Sequence, residues 1–213
     1  MTDAEIARMA FQAYRNAPPV LRSFQALRPS ICPIERLLRE IPPGSRVLDI
    51  GCGAGLLLVA GASSGRVASG CGLDINERSL AQARRALAQI GSLAAIRFES
   101  APPESLPRGA FDVVTLIDVL HHVPPAEQRR FFAAAAARVR PKGLLVYKDM
   151  CERPWWKAWG NRLHDLLLAR QWIQYVPLAE VIGWAAEAGF TVLRKEEYTR
   201  FWYGHELLVL RRE

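Results

Sequence analysis

A run of aliphatic residues, Val47, Leu48 and Ile50, breaks at once into three glycines at alternate positions, Gly51, Gly53 and Gly55. Nothing else in the chain limits its fold as strongly. The aliphatic run predicts a buried strand, and the apolar stretch from Leu56 to Ala60 predicts a helix directly after the glycines. Strand, glycine loop and helix in that order let an α/β sheet present backbone N–H groups to a ligand at a helix N-terminus. Glycine is needed because a Cβ would obstruct both the turn and the close approach. The loop is therefore expected to bind a small molecule.

The spacing narrows the ligand. A dinucleotide fingerprint wants its third glycine one position later, where this chain has Leu56, and no Gly-Lys-Ser/Thr follows to make a P-loop. Asp49 lies at the end of the first strand, and Asp74 ends a second short apolar strand, 19 residues after Gly55. A carboxylate at that separation can accept both hydroxyls of a ribose. Hydrogen bonds to a charged acceptor contribute roughly 1.5–3 kcal/mol each. Two further stretches follow, Phe111 to Val123 with Asp112, Asp118, His121 and His122, and Arg140 to Val146 with Pro141 and Gly143.

Together these four marks resemble the class I S-adenosylmethionine-dependent methyltransferases of the small-molecule type. The resemblance is close over residues 44–150 and holds elsewhere in outline. It implies S-adenosyl-L-methionine as cofactor, held by Asp49, Gly51, Cys52, Gly53, Gly55, Asp74, Ile75, Ala101 and Asp118, with Ile75 packing on the adenine. One departure stands out. Many relatives carry an Asp after the third strand that meets the adenine amino group, and here the matching positions are Ala101 and Pro102. The backbone of Ala101, or the side chain of Glu99 or Ser100, is left to make that contact.

At 213 residues the chain is expected to form a single domain with a full core. Its divisions are an N-terminal helical lid over 1–43, a cofactor-binding core over 44–150, and a substrate-side segment over 151–213. Helical patterns at 4–17, 20–28 and 33–40 precede the first strand. Strands are then expected at 46–50, 67–73, 94–98, 112–117 and 143–149, with helices at 54–63, 77–90 and 125–139 between them. This alternation implies a parallel sheet with right-handed crossovers. A helical segment over 154–174, a helix at 177–188 stopped by Gly189, and strands at 190–198 and 205–211 complete the chain. The expected fold is α/β: a Rossmann-like, doubly wound sheet of seven strands with helices on both faces. The sheet is mostly parallel, and the resemblance supplies the antiparallel C-terminal hairpin.

The acidic start, Met1 to Glu5, lacks the apolar region of a signal peptide. No apolar run approaches ~18 residues, the length a membrane span needs. Cys32, Cys52, Cys71 and Cys151 are dispersed, so neither a metal site nor a disulfide framework is expected, and a cytoplasmic protein with reduced thiols is the simplest reading. The net charge of +7 favours anionic partners or simply maintains solubility.

A general base is required only if the acceptor is protonated at working pH. The candidates at the strand ends are His121, His122 and Asp149, with Tyr203 and His205 in the last hairpin as more distant ones. His164 and Asp165 lie within a helical pattern and read as a surface or packing pair. The segment 154–172 places Trp155, Trp156, Trp159, Leu163, Leu166 and Leu167 at helical spacing beside Arg153, Lys157 and Arg162. It reads either as a helix packed on the sheet or lining the substrate pocket, or as a peripheral contact with a membrane surface. Both readings favour a small, hydrophobic acceptor: aromatic, isoprenoid or acyl. Nucleic acid is disfavoured, because Ile117, Asp118, Val119 and Leu120 stand where base methyltransferases carry Asn/Asp-Pro-Pro-Tyr/Phe. The alternatives are an RNA or protein substrate and a binding module without turnover.

Overall fold

The computed structural model describes residues 1–102, 105–150, 176–200 and 203–213. The expected Trp-rich helix, Cys151, His164 and Asp165 fall outside the described residues. The strands are β1 (Ser45–Ile50), β2 (Val67–Asp74), β3 (Ala95–Ser100), β4 (Phe111–Ile117), β5 (Val139–Met150), β6 (Phe190–Arg200) and β7 (Tyr203–Arg212). They form one seven-stranded sheet in the order β3-β2-β1-β4-β5-β7-β6. The sheet is mostly parallel, with β7 antiparallel to both β5 and β6. This is the architecture expected from the sequence. Among the described residues, no helix is long and apolar enough to cross a membrane.

The chain divides into two compact units. The first comprises Met1–Ser105 with Phe111–Val113. Its strands β1, β2 and β3 pair in parallel, and Asp49 aligns with Gly72, and Gly72 in turn with Phe98. Helix α1 (Asp3–Ala13) opens on a capping box between Thr2 and Glu5. It ends short of residue 17, because Pro18 disfavours helical backbone at the residue before it. Helix α2 (Pro19–Ile31) is longer than the expected 20–28 and runs through Pro29, its last turn closed by Cys32 N donating to Arg28 O at 2.8 Å. After α3 (Ile34–Arg39) and β1 comes α4 (Leu56–Ser63), buried from Leu56 to Gly61. A helix apolar on every side must lie within the core. It packs close to β2: a Cβ on Gly61 would lie 2.5 Å from Val67 Cγ2. Helix α5 (Glu77–Gln89) is capped by Asn76, whose side chain accepts from Arg78 N and Ser79 N.

The second unit comprises Leu106–Ala110 and Val114–Glu213. A short 3₁₀ turn, Leu120–His122, leads into α6 (Pro125–Ala136). That helix stops before the expected residue 139, because Val139 is already the buried first residue of β5. Helix α7 (Leu178–Glu187) ends at Gly189, whose φ of +79° makes it the expected stop. Leu207 to Leu210 of β7 are buried. At the β6 edge the register slips between Val192 and Arg194, a bulge that blunts an otherwise long free strand.

Two glycines test this packing. A Cβ on Gly70 would lie 2.3 Å from Val47 O, so Gly70→Ala forces β1 and β2 apart and lowers stability by about 1–3 kcal/mol. Gly183 sits inside α7 with nothing near its would-be Cβ, so Gly183→Ala raises stability by about 0.5–1 kcal/mol. Thermal melts of the two variants should move in opposite directions.

Candidate functional site

The glycine loop lies in the first unit. Gly51, Gly53 and Gly55 all have positive φ (+78°, +55° and +78°), a region that side chains disfavour. The amides of Gly51 and Cys52 both donate to Leu73 O, at 2.8 and 2.9 Å. Gly53 N donates to Asp74 Oδ2 at 2.8 Å, and the other carboxylate oxygen of Asp74 accepts from Asn76 N at 2.8 Å. Beneath the loop lies the ring of Phe98: a Cβ on Gly55 would meet it at 2.7 Å, and one on Gly72 would meet it at the same distance. From α1, buried Tyr14 donates its hydroxyl to Ala54 O at 2.6 Å. Gly53 differs from Gly55, because a Cβ there would meet nothing within 4 Å.

The α4 N-terminus follows, and its N-cap is Gly55, which has no side chain to satisfy the first-turn amides. At the end of β2, Ile75 is 77% exposed, unusual for an isoleucine beside a buried strand. Burial, followed by the charges of Asp49 and Asp74, pushes the Cys52 thiol well above its ordinary range. It stays protonated and is no nucleophile at neutral pH.

A second constellation lies in the second unit. His121 Nδ1 donates to Asp149 Oδ1, with both side chains buried. Asp149 Oδ1 also accepts from Met150 N at 2.8 Å. Gln128 of α6, itself buried, donates to Leu120 O and Val123 O and so holds the turn that carries His121. Lys148, only 1% exposed, donates to Asp118 Oδ1, while Asp118 N donates to Lys148 O at 2.8 Å. Asp118 has a φ of +52°, so both its backbone and its side chain are fixed by Lys148. Across the β5–β7 pairing Asp149 faces Glu206, which accepts from the Tyr147 hydroxyl at 3.3 Å. Burial and the neighbouring Asp149 charge push the Glu206 carboxyl up to about 8.

Comparison with known proteins decides the family. The family described as "Methyltransferase domain" matches residues 24–195, most of the chain. The chain belongs to the class I S-adenosylmethionine-dependent methyltransferases. It is 32% identical over 179 residues to the ubiquinone biosynthesis O-methyltransferase of Thiobacillus denitrificans, covering 80% of this chain and 73% of that one. Its match to the protein of the same name from Neisseria meningitidis is 34% over 137 residues, 63% of this chain and 54% of that one. The chain thus spans about half the length of the Neisseria relative. Its fold is that of magnesium protoporphyrin IX methyltransferase from Synechocystis PCC 6803 with bound SAH. The TM-score is 0.70 at 20% identity, over 95% of this chain and 94% of that one.

The glycine loop suits the family's cofactor on three observations. The space beyond Gly53 is open, the first amides of α4 have no side-chain cap, and an isoleucine is exposed beside Asp74. Of the residues singled out in the sequence, Asp49, Gly51, Cys52, Gly53, Gly55, Asp74 and Ile75 lie together at the ends of β1 and β2, and Ala101 directly follows β3. Asp118 lies in the second unit, bonded to Lys148. Adjacent in sequence, His121 and His122 part in environment: His121 is buried on Asp149 and His122 is exposed. Glu99 is exposed and pairs with Arg97 at 2.8 Å. His205 is buried in β7, its ring 5.3 Å from that of Tyr198.

Sequence reasoning missed Tyr14, Gln128, Tyr147, Lys148 and Glu206. A signal existed for two of them. Lys148 extends the apolar run Leu144 to Tyr147, and Glu206 precedes Leu207 to Leu210, so each is a charge attached to a strand that is otherwise sealed from water.

The raised Glu206 carboxyl has a signed consequence. Between about pH 4.5, where the unfolded carboxyl ionises, and about pH 8, the folded protein holds the extra proton. Stability therefore falls with rising pH across that window, by roughly 1.4 kcal/mol per unit at most. Glu206→Gln, which still accepts from Tyr147, should flatten that decline and raise the melting temperature at pH 8 relative to wild type. A denaturation series from pH 5 to pH 9 checks both.

Proposed function

We propose that the chain is an S-adenosylmethionine-dependent O-methyltransferase acting on a small hydrophobic acceptor. The observation that carries the reading is the match to ubiquinone biosynthesis O-methyltransferases over most of this chain. In the first unit, the open side of the loop at Gly53 and the uncapped amides of the α4 N-terminus would hold the amino-acid end of the cofactor, Asp74 would accept from the ribose hydroxyls, and Ile75 would cover the adenine face. The backbone at Ala101 meets the adenine edge, since that side chain is a methyl. When bound, the cofactor supplies an electrophilic methyl group on a sulfonium.

The chain's own contribution to chemistry is placement and one proton. Well-oriented reactants gain roughly 7–11 kcal/mol from effective molarity alone. A hydroxyl acceptor must lose its proton as the new C–O bond forms. His121 is the proposed acceptor of that proton at Nε2. Its Nδ1–H is committed to Asp149, which fixes the tautomer and stabilises the imidazolium that results. Buried Glu206 opposite Asp149 carries its own proton near neutrality, which spares Asp149 a second carboxylate charge. The Lys148 pair fixes Asp118 at the end of β4.

Asp74→Ala should weaken binding of S-adenosylhomocysteine about tenfold or more by calorimetry, the loss of at least one charged hydrogen bond. Unchanged affinity would remove Asp74 from the site. His121→Gln should lower kcat about a hundredfold with the cofactor KM unchanged, and should abolish the limb of the rate profile that rises with pH. A variant that keeps that limb leaves His121 as a packing residue. Transfer from cofactor labelled on its methyl group into fractionated cell extract tests the acceptor class. Label in the organic phase is expected, and label in RNA or protein would overturn the reading.

A further inference from the structure

Helix α2 is inside out. Its buried residues are Gln25 and Pro29, while Val20 is 83% exposed, Leu27 61%, and Phe24 projects outward with them. These three stand at i, i+4 and i+7, one continuous helical face. Exposed Phe11 of α1 extends the ridge, because Arg22 of α2 lies over the Phe11 ring at 3.6 Å and donates to Phe11 O at 2.9 Å. A lone exposed Leu needs no explanation, whereas a ridge of four large apolar side chains on two adjoining helices marks a surface that meets a partner.

The charge around the ridge identifies the partner. From Ile6 to Ile34 the chain carries Arg8, Arg15, Arg22 and Arg28 and not one Asp or Glu. A second copy docking through the same face would bring arginines against arginines with no acid to pair them. An anionic lipid surface instead meets both requirements: acyl chains for Val20, Phe24 and Leu27, and phosphates for the guanidinium groups. We propose that the α1–α2 face docks the protein on anionic phospholipid bilayers, with the Val20, Phe24 and Leu27 ridge in the headgroup and acyl boundary. None of the ridge residues belongs to the glycine loop.

The test is co-sedimentation of the full chain with vesicles of phosphatidylglycerol and phosphatidylcholine in equal parts, against vesicles of phosphatidylcholine alone. The wild type is expected to sediment with the anionic vesicles and to be released by salt. The double variant Val20→Asp, Leu27→Asp should lose about tenfold or more in vesicle affinity, while its melting temperature and its affinity for S-adenosylhomocysteine stay at wild-type values. Three results would overturn the proposal. One is a wild type that ignores anionic vesicles. Another is a double variant that binds them equally well, which would move any membrane contact to another segment. The third is a double variant that melts far below wild type, which would show that the ridge is covered by the protein itself. Cofactor affinity is read separately, so failure here leaves the methyl-transfer reading intact.

Discussion

The turn from β1 into α4 is held by backbone that side-chain-bearing residues resist. Gly51, Gly53 and Gly55 take left-handed φ within five residues, and the amides they free converge on the end of β2. Leu73 O accepts two of them and the Asp74 carboxylate a third. The loop therefore has its shape from contacts within the first unit. Phe98 lies under Gly55 and Gly72 because neither has a Cβ, and Tyr14 ties α1 to the carbonyl between Gly53 and Gly55. Such preorganisation lowers the entropic cost of binding, since the turn into α4 is already fixed by these bonds.

The second unit spends stability where the first economises. Six ionisable side chains, on His121, Tyr147, Lys148, Asp149, His205 and Glu206, are sealed from water around the end of β5. Taking ionic groups out of water costs several kcal/mol each, and pairing them seldom returns a net gain. Packing alone would favour leucines at these positions. Charges arranged in partner pairs, with one carboxyl displaced to about 8, form the kind of cluster that concentrates at functional sites. Removing Asp118 or Asp149 alone strands a buried partner, so single substitutions in this cluster act on folding and on chemistry together, and kinetics must be read beside melting data.

The same fold hosts unrelated acceptors, and the resemblance in fold to a porphyrin methyltransferase at 20% identity fixes none of them. What distinguishes this chain lies on its own surface and in its own buried charges: a basic, inside-out α2, and a His121–Asp149 pair held by a turn that Gln128 supports.

Local chemistry made much of this legible in the one-dimensional chain. Glycine spacing at 51, 53 and 55 and the alternation of apolar runs specify the strand-loop-helix unit and the strands, because each depends on residues a few positions apart, and the acid at 74 adds the mark that points to the family. Element ends followed where a local rule governed them, as at Gly189. They failed where a long-range demand prevailed, as at Ala136, where Val139 is claimed by the sheet. The partnerships of Lys148 with Asp118, His121 with Asp149 and Tyr147 with Glu206 join residues 28 to 59 positions apart. Nothing in local sequence encodes them. The outward face of α2 was equally hidden, because helical periodicity gathers Val20, Phe24 and Leu27 on one side without saying which side the core occupies. Only the packing of α1 and α2 decides that.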